Sequence, residues 1–202
     1  MYQENIYRIT ALVLLLSAVS ISITFRHRAA KSRDVIKSDA EGRLILALRS
    51  VFGLLGWLGA LLYLINPAWM AWSQLALASW IRWMGAVLMV VCIPLVYWIF
   101  SSLGKNVTHT VVTRQAHTLV VHGPYHWVRH PLYTVGTMLF IGLSMITANW
   151  FVFTMLAFAV VVLYMRTPIE EQHLIDRFGD EYRQYMSHTG RYLPRLKSAG
   201  QS

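Results

Sequence analysis

Long apolar runs separated by short polar punctuation dominate this chain. The first, Ile6 to Phe25, holds one charge, Arg8, near its start. A secretory leader would carry its basic residues ahead of the run and a small-x-small site behind it; here the basic residues follow, so the run reads as a retained span. The second run is Leu44 to Ile65, closed by Asn66-Pro67, and the third is Ser79 to Phe100. A fourth stretch, Leu132 to Met165, is too long for one crossing, which takes about 20 residues. Thr147-Ala148-Asn149 reads as a tight turn that splits it into two shorter helices. The pattern predicts an all-α integral membrane protein of five transmembrane helices, the last two a tight helical hairpin. Ser50, Gly53, Gly56 and Gly59 recur every three residues in the second run, a small-residue stripe that lets another helix backbone approach closely.

Composition makes the same point from the other side. The chain is 56% apolar and 13% charged over 202 residues, with a mean hydropathy of +0.46. Soluble domains run about 45–50% apolar and about 25% charged, so this chain has too little polar surface for water. It reads as one membrane domain, residues 1–202, with three spans in residues 1–100 and a more polar half at 101–196. A single cysteine, Cys92, excludes a disulfide framework and a multi-cysteine metal site.

The net charge of +9 sets the topology. Lys and Arg gather in Arg26–Arg43, in Ser101–Pro131 and in the tail from Arg166, while Asn66–Ala78 and Thr147–Asn149 carry no charge. The positive-inside rule puts the N-terminus outside and the C-terminus in the cytoplasm, with Trp69, Trp72, Trp80, Trp83 and Trp150 at the outer interface and Trp98 and Trp127 at the inner one. Cations spread over three loops with no reading motif argue against a nucleic-acid partner and for a bilayer with anionic headgroups. Arg49 and Arg82 fall inside spans, where a charge is a functional candidate by default. Both lie within two turns of a helix end and are expected to snorkel to the interface.

Candidate chemistry concentrates beside the last hairpin. No Asp or Glu occurs between Glu41 and Glu170, and then Glu170 and Glu171 arrive together. Five histidines, His109, His117, His122, His126 and His130, lie in the loop ahead of the hairpin. Gly123-Pro124 interrupts the helical spacing of His122 and His126, and no carboxylate is near, so no metal is expected. Arg166 and Glu170 share one helix face where the hairpin leaves the bilayer, a cation and an anion suited to a zwitterionic ligand. Pro168 between them is expected to loosen the helix. Glu171 points about 100° away and needs a different job. Gly179 looks like a helix C-cap, and Asp180-Glu181 like the start of a short amphipathic helix carrying Tyr182 and Tyr185.

These residues carry a resemblance. Leu119-Val120-x-x-Gly123-Pro124-Tyr125-x-x-Val128-Arg129-His130-Pro131-Leu132-Tyr133, then Arg166-x-x-x-Glu170-Glu171, Phe178-Gly179-x-x-Tyr182-x-x-Tyr185 and Arg191-x-x-Pro194 together resemble the isoprenylcysteine carboxyl methyltransferase family, integral-membrane enzymes related to the phospholipid methyltransferases. The resemblance covers residues 101–196, which it makes the catalytic half. It implies S-adenosylmethionine as cofactor, His130 and Tyr133 along it, and Tyr125 with the loop at His122 and Gly123 lining its pocket. It also implies a hydrogen bond from the cofactor to Glu171, with Arg166 and Glu170 as catalytic residues facing a lipophilic acceptor such as a prenylcysteine-like carboxylate. The implied location is a bacterial or archaeal inner membrane. The family places glycine two residues after the motif tyrosine; this chain has Val135 there and Gly136 next. Two other readings fit the pattern less well: a membrane sterol reductase using reduced nicotinamide dinucleotide phosphate, and an inactive scaffold of the same fold.

Overall fold

The structure, a computed structural model, describes residues 2–30, 43–103 and 119–195. His109 and His117 lie outside the described residues. Among the described residues six α-helices follow one another: α1 (Tyr2–Ala30), α2 (Arg43–Ile65), α3 (Ser79–Leu103), α4 (Pro131–Thr147), α5 (Trp150–Phe178) and α6 (Asp180–His188). Among the described residues, α1, α2, α3 and α5 are long and apolar enough to cross a membrane, and the shorter apolar α4 forms the hairpin with α5. The short 3-10 turns Pro67–Ser73 and Gly123–His126 lie between helices. The fold is an all-α integral membrane protein, as the hydrophobic pattern predicts. Leu54, Leu58, Leu61, Val87 and Val90 are exposed on α2 and α3, as a lipid-facing surface requires.

The hairpin turn falls at the expected tripeptide. Ala148 takes left-handed φ 48°, Asn149 caps α5 by accepting from the Val152 N–H at 3.0 Å, and its side-chain amide donates to Ser73 Oγ at 2.8 Å. The turn is therefore tied to the α2–α3 connection. Pro168 does not break α5, which runs on to Phe178. Packing explains this: the Tyr192 hydroxyl donates to Thr167 Oγ1 at 2.7 Å, and Glu171 is held from three sides just beyond.

Two tight pairings build the bundle. α3 crosses α4 at Gly85 and Gly142, where a Cβ on Gly85 would sit 2.6 Å from the Gly142 carbonyl oxygen. α2 lies on α5, with Gly56 against Leu156 and Gly59 against Phe151 and Val152, whereas Ser50 is exposed and Gly53 faces open space. Three-residue steps advance about 300° around a helix, so a stripe of that spacing drifts off the contact face within two steps. α1 packs chiefly on α3.

Arg82 does not snorkel. It is buried, its guanidinium bonds both oxygens of Glu4 at 2.7 and 2.8 Å and the Tyr63 hydroxyl at 3.0 Å, and Nε donates to the Ile146 carbonyl at 2.8 Å. It also lies 3.8 Å over the Tyr7 ring. The N-terminus of α1 brings an acid and an aromatic face to it, so the charge is satisfied where it stands. This network pins α1, α2, α3 and α4 together at the end opposite Glu170.

Candidate active site

At that other end, which we call the basic end, the helices diverge around a cavity of about 530 Å³. Its inner part is walled by apolar side chains such as Leu15, Met89, Phe140 and Leu143; its outer part by Tyr125, His130, Tyr133, Arg166, Glu170 and the α6 tyrosines. The polar wall is assembled by backbone pairing of distant segments. Gly123, at φ 62°, turns the chain beneath α3, and Gly123–His126 leads into a short parallel bridge between Val128 and Gly190. The Arg129 N–H donates to the Gly190 carbonyl at 2.8 Å and the His130 N–H to the Arg191 carbonyl at 3.0 Å. Pro131 then starts α4 with no N–H to satisfy.

The adjacent glutamates part as their 100° separation requires. Glu170 lines the cavity and accepts the Tyr133 hydroxyl at 2.5 Å. The Tyr133 ring stacks on His130, centroids 5.2 Å apart. Arg166 is buried one turn earlier and lines the same space. Glu171 points away from the cavity, its side chain 3% exposed, into a clamp of two arginines and a histidine. Arg129 Nε lies 2.9 Å and His130 Nε2 3.3 Å from Oε1, and Arg191 Nη2 donates to Oε2. Arg129 Nη1 also donates to the carbonyls of Met186 and Thr189, so the clamp closes off the end of α6.

Tyr125, Tyr182 and Tyr185 complete the outer wall. Burial pushes all three phenols up in pKa, helped at Tyr125 by the Glu170 charge and at Tyr182 by that of Glu171, so they stay neutral donors. The Tyr185 hydroxyl donates to the Tyr125 carbonyl at 2.5 Å and docks α6 on the loop.

Of the residues singled out from the sequence, Arg166, Glu170, Tyr125, His130 and Tyr133 meet at this cavity. His122 is exposed and Gly123 packs against Trp98 and Ser102 of α3, so both stand behind the wall and do not line it. Val135 is buried against Cys92, Val96 and Phe100, while Gly136 lines the cavity, where a Cβ would meet nothing within 4 Å. The one-residue shift of glycine thus leaves the α4 face toward the cavity bare. Arg129 and Arg191 stand in the motif, but the sequence alone assigns them no role; a buried acid at a basic boundary is the signal that cations must meet it. Among the described residues no three His, Cys, Asp or Glu side chains gather as a metal site.

The family model described as phospholipid methyltransferase matches residues 80–181. The protein-S-isoprenylcysteine O-methyltransferase of Mus musculus is 31% identical over 129 residues, 62% of this chain and 46% of that protein. Methanethiol S-methyltransferase 1 of Bradyrhizobium diazoefficiens is 35% identical over 74 residues, 37% of this chain and 25% of that protein. This chain thus matches about half or less of each relative's length. A structure of the eukaryotic intramembrane Ras methyltransferase, isoprenylcysteine carboxyl methyltransferase, superposes with a TM-score of 0.53 at 24% identity, covering 72% of this chain and 51% of that one. That likeness is one of fold.

Proposed function

This chain belongs to the phospholipid methyltransferase family, and on that premise we propose that it is a membrane methyltransferase that takes its methyl group from S-adenosylmethionine and passes it to a lipophilic acceptor. One observation carries the reading. Arg166, Glu170 and Tyr133 meet on the wall of a single cavity that runs from the polar end into apolar helix faces. A water-soluble donor and a bilayer-borne acceptor could meet there.

The residues present suit the cofactor. A volume of about 530 Å³ is within the range of small-molecule sites, roughly 300–1,000 Å³. Three tyrosine rings offer faces to an adenine or a sulfonium, and Glu170 offers an anion. Glu171, buried and turned away from the cavity, serves the site from behind by holding Arg129, His130 and Arg191, in place of the direct hydrogen bond to the cofactor that the resemblance implies. His130 and Tyr133 lie along the cofactor, while His122 and Gly123 act from behind by setting the loop that presents Tyr125. When bound, S-adenosylmethionine supplies an electrophilic methyl group.

The chain's own residues then align and desolvate the acceptor. Arg166 holds an acceptor anion; the Tyr133 hydroxyl keeps Glu170 oriented. A carboxylate acceptor, such as a prenylcysteine-like acid, brings its own lone pair and needs no base. An amine acceptor would hand its proton to Glu170. The apolar inner wall excludes water and strengthens these charges. The distribution of Lys and Arg supports a cytoplasmic basic end, and the motif resemblance a bacterial or archaeal inner membrane.

Isothermal titration of detergent-solubilised protein with S-adenosylmethionine and its demethylated product tests the cofactor; transfer of labelled methyl into a membrane lipid extract tests the activity. Binding and labelled lipid are expected. Binding of reduced nicotinamide dinucleotide phosphate alone would favour a reductase, and binding of neither would favour an inactive scaffold.

A further inference from the structure

One face of α4 runs along the cavity. Tyr133, Gly136, Phe140 and Leu143 follow one another on it at helical spacing, and all four line the space. Three of them fill their place with a side chain; at Gly136 the backbone is bare. Gly136 is half-buried, and a Cβ built on it would meet nothing within 4 Å. Packing therefore does not demand glycine here. At Gly142 of the same helix it does, since a Cβ there would stand 2.7 Å from Met89 Cγ and 2.8 Å from the Gly85 carbonyl oxygen.

Glycine inside a helix is a poor choice without a reason, and one reason is the close approach of a ligand to the backbone. The depth of Gly136 says which ligand. At the polar end of the hairpin the Tyr133 hydroxyl meets Glu170 at 2.5 Å, and one turn inward Thr137 Oγ1 lies 3.3 Å from the Tyr164 hydroxyl. Gly136 thus sits about 4.5 Å inward of the Tyr133–Glu170 pair, and Leu143 about 10 Å further in, at 1.5 Å per residue. Beyond Gly136 the lining is apolar: Phe140 and Leu143 of α4, Met89 of α3, and Trp57, whose ring meets Phe140 edge-on with centroids 6.1 Å apart. A polar cofactor suits the side of Tyr125 and His130; an apolar chain suits the side of Phe140. The bare backbone between them is a slot one side chain deep.

We propose that Gly136 is a specificity residue: its bare backbone is the passage by which the acceptor's apolar chain runs from the Tyr133–Glu170 pair into the inner chamber. This rests on the methyltransferase reading and adds to it the path of the chain and the residue that sets its width. A side chain at this position closes the slot and leaves room only for acceptors that end at the polar wall. The family position of the glycine, one residue earlier, is taken here by Val135, which packs away from the cavity against Cys92, Val96 and Phe100. The shift to Gly136 therefore opens the slot without disturbing the packing of α4 on α3.

The test uses the full chain in digitonin, a detergent without an alkyl chain. Dodecanoate is the probe, acetate its chainless control, and each is titrated separately from the demethylated cofactor. A buried methylene is worth about fourfold in affinity, so a chain stopped at Gly136 loses about tenfold or more. Gly136→Leu is expected to bind dodecanoate at least about tenfold more weakly than wild type, and the demethylated cofactor within about twofold. Gly136→Ala is expected to show a smaller loss and to melt about 2–4 °C higher, since alanine is the better helix former. Gly136→Cys reads the place directly: dodecanoate should block labelling of its thiol by methyl methanethiosulfonate, and acetate or the cofactor should not. Wild type, whose single cysteine Cys92 is buried, is the blank. The Ala and Cys variants carry the test if Gly136→Leu does not fold. Unchanged dodecanoate binding in the folded variants, or labelling that dodecanoate leaves unaltered, would overturn the proposal. Protection by the cofactor alone would overturn it too, by giving this face of α4 to the cofactor. Failure of wild type to bind the cofactor would instead overturn the methyltransferase reading, since the chain is measured on its own.

Discussion

Replacing Glu171 by glutamine should damage the protein more than any other single exchange at the basic end. The carboxylate is buried and answers Arg129, His130 and Arg191 at once. Glutamine keeps the shape, but it removes the charge and presents an NH2 group to one cation. Removing one partner from a buried charge cluster costs about 3–5 kcal/mol, because the remaining charges stay buried and unanswered. The upper part of that range applies to Arg129, whose side chain is 8% exposed; Arg191, at 42%, can turn to solvent and should contribute less. At roughly 2–4 °C per kcal/mol for a chain of this size, the loss of about 3–5 kcal/mol becomes a fall in Tm of about 6–20 °C. Tryptophan fluorescence during heating in nonionic detergent measures it directly. Hydrogen exchange adds a local readout: α6 and the 189–192 segment should lose protection first, because Arg129 also holds the Met186 and Thr189 carbonyls. Arg129→Gln should reproduce most of the effect and Arg191→Gln a minor part. A Tm within about 2 °C of wild type for Glu171→Gln would refute the clamp as a keystone.

Two further outcomes follow from the contacts of other residues. At the opposite end, Arg82→Met or Glu4→Gln alone should cost about 3–5 kcal/mol, whereas Arg82→Met with Glu4→Leu should recover at least half of that loss; thermal melts of the three variants decide it. Tyr133→Phe removes the donor that orients Glu170, so methyl transfer into lipid extract should fall about tenfold, the worth of one hydrogen bond to a charged group, and an unchanged rate would show the pair to be idle.

How legible this molecule is from its sequence depends on which interaction sets each feature. Helices and the hairpin turn follow from hydropathy and local turn chemistry, and the structure places them as expected, with the turn at Ala148 and Asn149. The family resemblance read from the motifs agrees with the matched residues 80–181. Helix pairing was half visible. Gly56 and Gly59 lie in a stripe that periodicity reveals, but Gly85 and Gly142 are 57 positions apart and become a pair only when α3 crosses α4. Arg82 was misjudged for a similar reason. Its partner Glu4 is 78 residues away, so no local rule separates a snorkelling arginine from a buried one. The same distance problem hid Arg129 and Arg191 as partners of Glu171.

The paired glutamates show why local spacing still carried far. On one helix, neighbours 100° apart cannot share an environment. α5 emerges at the basic end between a cavity and the returning C-terminal segment, so one acid must face each. Glu170 takes the cavity side and accepts from one neutral donor, the Tyr133 hydroxyl, which holds it beside the reacting space. Glu171 takes the packing side, where an anion is tolerated only if cations meet it, and Arg129 and Arg191 are brought there by the Val128–Gly190 bridge. The clamp in turn fixes the backbone from which His130 and Pro131 start α4, and hence the direction of Tyr133. The acid that faces away from the cavity thus orients the donor for the acid that faces into it. If so, Glu171→Gln and Tyr133→Phe should be less than additive in methyl transfer, because the first already loosens what the second removes.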